Sequence, residues 1–170
     1  MRALVIPEDF TKDQYMLKPI IEAMFRAIGK LQAVVRVCQK PRFQGVSQVL
    51  DWTRLGPVID RSKGTTDLFL LCVDRDGDET RRADPDYIER EAESLAPGRV
   101  GLESSPAGTP PERALLPSLR RAAGRSQYQP AEGRKTLAEA AARQYARIRK
   151  LCPEDIAALE IRLQQSIQTP

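Results

Sequence analysis

The sequence predicts a small α/β protein built on a parallel sheet. Three apolar runs lie at residues 3–6, 33–38 and 67–73, and a helical pattern separates each run from the next. Continuous apolar runs without polar alternation are typical of strands that are buried on both faces, as parallel strands are. The order strand, helix, strand, helix, strand predicts right-handed βαβ units.

A helix is predicted after the first strand. Thr11 can cap this helix, which continues to about Ile28, and Gly29 supplies a stop signal. Pro19 lies inside the pattern and lacks a backbone donor, so it predicts a kink or a division into two helices.

The second strand leads into a loop and another helical pattern. Residues 39–45 form the loop, and residues 46–59 carry apolar side chains at helical spacing, although Gly56 and Pro57 weaken the middle. The run 67–73 that follows is the most hydrophobic of the chain. It is predicted to be the central strand.

The composition changes after residue 103, and this change predicts the domain organisation. A third helix at 85–95 and a short fourth strand at 99–103 complete an α/β domain over residues 1–103. Residues 104–133 are rich in Pro, Gly, Ala, Ser and Arg, which predicts an irregular or flexible connection. Residues 134–170 are predicted to form a C-terminal tail of two helices, with Pro153 at the first position of the second helix.

The composition also limits the chemistry. The 170 residues include no histidine, which excludes Ser-His-Asp and Cys-His catalysis and His-ligated zinc. The three cysteines, Cys38, Cys72 and Cys152, are odd in number and widely separated. They are therefore expected to be buried thiols and not a disulfide framework.

Targeting and charge signals are weak. The sequence contains no secretory signal pattern and no run of about 20 apolar residues, so we expect a cytoplasmic protein with no membrane partner. A net charge of +4 and a pI near 9.1 permit nucleic-acid binding without requiring it.

Acidic residues follow two of the predicted strands. Glu8 comes just after the first strand, and Asp74, Asp76 and Asp78 come just after the third. If these strands are neighbours in a parallel sheet, their carboxyl ends share one edge and the four carboxylates converge. Crowded carboxylates need a compensating cation, and their hard oxygens suit Mg²⁺ or Mn²⁺.

Other interpretations of the aspartate cluster fit less well or stay open. An EF-hand loop needs Gly at its sixth position and Glu at its twelfth, where this chain has Glu79 and Pro85. Haloacid-dehalogenase-type phosphatases place Asp-x-Asp after the first strand, where this chain has Glu8. A solvated acidic turn remains open, because Asp and Gly favour turns. Glu8 at the matching edge favours a site.

These residues resemble a known family. Glu8 after the first strand, followed by Asp74 and Asp76 after a strongly hydrophobic strand, resembles the TOPRIM domain of topoisomerases, bacterial primases, small ribonucleases and overcoming-lysogenization-defect nucleases. The resemblance covers residues 1–103 and implies a Rossmann-like sheet. It also implies that Glu8 serves in acid/base catalysis or metal binding and that both aspartates coordinate Mg²⁺. The chain is further similar to small stand-alone bacterial TOPRIM-like proteins, some encoded beside ATPases in proposed phage-defence loci.

One difference from those small relatives leaves two functions open. Many of them carry a Glu-rich segment ending in Trp after the fourth strand, whereas here Glu103 is followed by residues 104–108 without a Trp. The first expectation is a Mg²⁺-dependent nuclease or related phosphotransfer protein acting on nucleic acid, with catalytic Glu8, Asp74 and Asp76. The alternative is a catalytically silent subunit that binds an ATPase or another copy of itself through the helical tail.

Basic residues in two parts of the chain are candidates for contact with phosphates or an acidic partner, with solvated surface charge as the alternative for each. Those in segments that could border the acidic edge are Lys40, Arg42, Arg54, Lys63, Arg75, Arg81 and Arg82. Those in the helical tail are Arg134, Lys135, Arg143, Arg147, Arg149 and Lys150.

Overall fold

A computed structural model describes residues 1–73, 83–104, 134–151 and 153–168, and these residues form an α/β protein, as predicted. The strands are β1 (Arg2–Pro7), β2 (Val34–Val37), β3 (Leu68–Val73) and β4 (Val100–Ser104). The helices are α1 (Phe10–Ala27), α2 (Val46–Val49), α3 (Trp52–Ser62), α4 (Ala83–Leu95), α5 (Arg134–Ala142), α6 (Tyr145–Leu151) and α7 (Pro153–Gln168).

The four strands form one parallel sheet in the order β2-β1-β3-β4. The predicted pairing of the first and third strands is confirmed, with a register that runs from Ala3 opposite Leu68 to Pro7 opposite Cys72. The chain moves from β1 to β2 on one side and later places β3 on the other side of β1. The carboxyl ends of β1 and β3 therefore flank the point where strand order reverses, which is where open α/β sheets bind ligands.

The sheet separates two hydrophobic cores because successive strand side chains point to opposite faces. Alternate residues of β1 and β3 supply the first core, together with α1 and the three C-terminal helices; these strand residues are Ala3, Val5, Leu68 and Leu70. The other set supplies the second core, together with α3 and α4; these are Ile6, Phe69, Leu71 and Val73.

The C-terminal helices are a structural layer of this sheet. Ala138, Ala141, Tyr145, Ile148 and Leu163 are all buried in the first core. Fully burying a large aliphatic side chain contributes about 1.5–3 kcal/mol, so the burial of Ile148 and Leu163 stabilises the packing of these helices on the sheet. The predicted tail thus packs on the α/β domain and covers one face of it.

The start of α1 differs from the prediction. Thr11 is not the cap: its backbone N–H donates to Oδ1 of Asp9 at 2.9 Å, so Asp9 caps the helix. Asp13 completes the cap, since its Oδ2 accepts a hydrogen bond from the Asp9 N–H at 3.0 Å. Asp and Thr are both good N-cap residues, and the contacts of the folded chain decide between them. Pro19 lies inside α1 and does not divide it.

Two other predicted helices are each divided in the structure. The pattern over residues 46–59 forms α2 and α3, and the break lies at Asp51, well before Gly56 and Pro57. Asp51 caps α3 by accepting hydrogen bonds from the Thr53 backbone N–H at 2.9 Å and from its hydroxyl at 2.6 Å. The Thr53 N–H is one of the donors that have no partner within the helix, so its bond to Asp51 favours a helix start there. Gly56 and Pro57 lie inside α3 and do not end it. The pattern over residues 134–151 is likewise divided, into α5 and α6.

The cysteine prediction is tested at two of three positions. Cys38 is buried and Cys72 is half-buried, and neither forms a disulfide with another described residue. Burial raises the pKa of the Cys38 thiol. Cys152 lies outside the described residues. No helix in the described ranges is long and apolar enough to cross a membrane.

A buried polar network joins the C-terminal helices. Glu160 of α7 is only 6% exposed, and its Oε1 accepts a hydrogen bond from the Tyr145 hydroxyl at 2.9 Å. Its Oε2 lies 3.0 Å from Nε of Arg149. Burial of the phenol, followed by the hydrogen bond to Glu160, raises the pKa of Tyr145 well above its usual range. The network fixes α6 against α7.

This raised pKa predicts a loss of stability in alkali. Above about pH 10, the ordinary value for tyrosine, Tyr145 ionises only in the unfolded chain. The free energy of unfolding should then fall by about 1.4 kcal/mol for each further pH unit through this residue. Tyr145→Phe has no phenol to ionise. We therefore expect the difference in free energy of unfolding between the wild type and this variant to shrink above pH 10. Urea unfolding from pH 8 to pH 11 measures this difference. A constant difference would contradict the prediction.

Candidate functional site

Glu8 lies at the carboxyl edge of the sheet, directly after β1. Its backbone N–H donates to the carbonyl oxygen of Cys72 at 3.0 Å, which continues the pairing of β1 with β3 past Pro7. Glu8 is partly exposed. The structure therefore places the first predicted site residue beside β3 at the predicted edge.

The loop after β2 packs against the same residues. The Gly45 N–H donates to the Glu8 carbonyl oxygen at 2.9 Å, and the Phe10 N–H donates to the Phe43 carbonyl oxygen at 3.1 Å. The residues between them form an isolated antiparallel bridge. Glu8 is thus held through its main chain by β3 on one side and by this loop on the other, which restricts its backbone.

Gly45 makes this arrangement possible. Its φ of 107° is rarely adopted by residues with a side chain, so the turn that brings the loop back to Glu8 favours glycine. The pairing of the loop with the start of α1 was not predicted from the sequence. The only local signal for this turn is a glycine before a helical pattern, and a glycine does not indicate which segment the loop will pair with.

The loop also brings positive charge to the edge. Arg42 is exposed and its guanidinium carbon lies 5.1 Å from the centre of the Phe10 ring, a cation–π contact. Lys40 is exposed in the same loop, and its carbonyl oxygen accepts a hydrogen bond from Arg61 at 3.0 Å. Two cationic side chains therefore belong to the segment that is paired with Glu8 and its neighbours.

The acidic residue next to Glu8 has a structural role. The side-chain oxygen of Asp9 accepts a hydrogen bond from Thr11, and that of Asp13 accepts one from Asp9. Both carboxylates satisfy N–H groups at the start of α1, which have no partners within the helix. The geometry distinguishes these capping residues from Glu8, which follows the strand itself.

The other predicted site residues are outside the described residues. β3 ends at Val73, and Asp74, Asp76 and Asp78 follow it in the sequence. Within residues 1–73, 83–104, 134–151 and 153–168, no three His, Cys, Asp or Glu side chains are grouped closely enough to hold a metal. The described part of the chain therefore contributes Glu8 alone of the four predicted ligands.

Comparison of the chain with protein-family models, curated proteins and solved structures gives no match. Its function is therefore inferred from the residues of this edge and from the charges of its surface.

Proposed function

We propose that the protein is a divalent-metal-dependent nuclease of TOPRIM-like type, with its active site at the carboxyl edge of β1 and β3. Glu8, Asp74 and Asp76 would hold Mg²⁺ or Mn²⁺, with Asp78 as a further ligand. One observation carries the proposal: β1 and β3 are parallel neighbours, and the Glu8 N–H bonds to Cys72, two residues before Asp74 in the sequence.

The chemistry of the donor set supports a hard divalent cation. Carboxylate oxygens are preferred ligands of Mg²⁺, and several of them can remain ionised together only beside a positive charge. A metal bound there would polarise a phosphoryl oxygen of the substrate. Glu8, placed on the strand end and held by two main-chain hydrogen bonds, would act as ligand or general base.

The surroundings of Glu8 support a phosphate-containing substrate. Lys40 and Arg42 are exposed in the loop that pairs with residues 8–10. Cationic side chains supply most of the sequence-independent affinity for nucleic acid, because they replace condensed counterions on the phosphates. The absence of histidine excludes an imidazole base, and carboxylates with a metal are one of the remaining means of phosphodiester hydrolysis.

A second candidate is a catalytically silent subunit that binds an ATPase or a second copy of the chain. Val34 of β2 and Leu31, which precedes that strand, are exposed large apolar residues, and β2 is an outer strand of the sheet. Outer strands with apolar side chains can pair with another chain. The inner side of the C-terminal helices is occupied by the first core, so a partner could contact only their outer surface.

A metal-binding experiment tests the proposed site. Millimolar Mg²⁺ or Mn²⁺ is expected to raise the melting temperature, because a ligand at 100 times its Kd stabilises the native state by about 2.7 kcal/mol. Asp76→Asn should abolish this shift. Asp60→Asn is the matched control, because Asp60 is an exposed carboxylate near the end of α3 that pairs with Lys63.

A wild-type protein indifferent to both metals would favour the silent subunit. Equal shifts in Asp76→Asn and Asp60→Asn would place the metal elsewhere.

A further inference from the structure

Two consecutive helices carry a high density of positive charge. Residues 134–151, which form α5 and α6, contain six Lys and Arg residues and one Glu, a net charge of +5. The whole chain has a net charge of +4. Residues 113–125 add four Arg and no acidic residue, so residues 134–151 are one of two segments that make the chain basic.

Three of these residues form a row on the outer side of the helices. Tyr145 and Ile148 are buried and define the inner side of α6. Arg147 and Lys150 are exposed, and at about 100° per residue they project opposite to that inner side. Arg143 is exposed in the turn that joins α5 to α6. We call Arg143, Arg147 and Lys150 the basic row.

The charges of the basic row are available to a ligand. In the described part of the chain none of the three forms an ion pair, and Arg147 donates only to the neutral Oε1 of Gln144 at 2.8 Å. Within α6, Arg147 and Lys150 are separated by about 4.5 Å at 1.5 Å per residue. That spacing is close to the distance of about 3.4 Å between successive phosphates of one strand along a duplex.

Arg149 borders the basic row and is fixed in place. Its Nε lies 3.0 Å from the buried Glu160 carboxylate, while 60% of its side chain remains exposed. A guanidinium has five N–H donors, so one contact with Glu160 leaves others for a phosphate. An anchored arginine loses less side-chain freedom on binding than a free one.

The opposite surface of the protein carries the opposite charge. α4 packs on the other face of the sheet through Ile88 and Ala92, and its sequence contains five acidic residues and one Arg. Asp86 and Glu89 are exposed there. A polyanion would be attracted to α5 and α6 and repelled from α4, which orients the protein on it.

We propose that the basic row and Arg149 bind the phosphate backbone of nucleic acid. Exposed cations of this kind suit a phosphate backbone better than a protein partner, whose interface would need an apolar or aromatic centre. Leu151, 38% exposed, is a large apolar side chain at the end of the row and not at its centre. The choice of nucleic acid as the polyanion rests on the proposed nuclease function. The surface itself is independent of Glu8 and the aspartates.

The test measures binding without cleavage. Fluorescence anisotropy with labelled DNA duplex, single-stranded DNA and RNA, in EDTA, compares the wild type with R143Q/R147Q/K150Q. The variant should bind at least about tenfold more weakly at 0.1 M salt. The slope of log K against log salt should fall by about 2.7 on duplex and by about 2 on single strands, since each contact contributes about 0.9 or 0.7.

The matched control is K30Q/R36Q/R90Q, which removes the same charge from three exposed residues outside the C-terminal helices, in the loop after α1, in β2 and in α4. Its affinity for nucleic acid should fall by less than about twofold, because the variant loses only long-range electrostatic attraction, which salt screens. Both triple variants alter exposed residues, and circular dichroism and melting temperature verify their folding.

The outcomes separate this proposal from the nuclease proposal. Weakened binding in R143Q/R147Q/K150Q together with unchanged binding in Glu8→Gln supports the basic row, whether or not the protein cleaves. Equal losses of affinity in the two triple variants would show that only the net charge of the protein matters, and this result would overturn the proposal. Absence of wild-type binding, or complete displacement of nucleic acid by polyglutamate at equal charge, would also overturn it.

Discussion

Glu8→Gln is expected to lower metal-dependent cleavage of nucleic acid by about 10²–10⁴-fold, the range for loss of a general base. The amide cannot accept a proton and is a poorer ligand for Mg²⁺ than a carboxylate. Gln keeps the size of the side chain, and the hydrogen bonds from Glu8 to Cys72 and from Gly45 to Glu8 involve only the main chain of Glu8. The edge should therefore remain folded while activity is lost.

Asp74→Asn is expected to have a comparable effect, and both variants should retain binding of nucleic acid in EDTA. A loss in kcat without a matching loss in affinity indicates that the residue acts on the transition state. Asp60→Asn again serves as the control and should cleave at the wild-type rate. The assay is a digestion of DNA and RNA with Mg²⁺ or Mn²⁺, alone and with any ATPase encoded nearby. Equal cleavage by the wild type and both edge variants would reveal a contaminating nuclease and refute the proposed active site.

The sheet was predictable from the sequence because its signals are local and strong. The run 67–73 is apolar without alternation, and a strand of that kind must be buried on both faces. Such a strand belongs in the interior of the sheet, and β3 lies between β1 and β4. The position of Glu8 follows from the same reasoning, since the residue after a parallel strand must lie at the carboxyl edge.

The parts that were not predictable depend on contacts between distant residues. An apolar stripe containing Tyr145 and Ile148 shows that a helix is amphipathic, but it does not show which surface covers it. The structure places this stripe on the first core, on the same sheet face as α1. The pairing of Gly45 with Glu8 joins residues 37 positions apart, and no periodic pattern of apolar residues predicts such a contact.

The role of the C-terminal helices also changes how partner binding should be tested. Deleting residues from Arg134 onward would expose the first core, including buried Met24 and Phe25 of α1. Loss of a partner in such a truncated chain would reflect unfolding as much as a missing contact. Substitutions on the outer surface of α5 to α7 avoid this difficulty.

Ile148→Ala is expected to lower the free energy of unfolding by about 2–5 kcal/mol, the usual cost of removing a large aliphatic side chain from a core. Ile148 is 0% exposed in the first core, so its removal leaves a cavity between α6 and the layer of α1. Ile161 of α7 is the matched control, because the same substitution there truncates a side chain that is 53% exposed. Ile161→Ala should change stability by no more than about 0.5 kcal/mol. Urea unfolding of the full chain measures both values, and single coincident transitions by fluorescence and circular dichroism would show that the helices unfold together with the sheet. If Ile148→Ala were as stable as Ile161→Ala, the C-terminal helices would be an appendage that contributes nothing to the core.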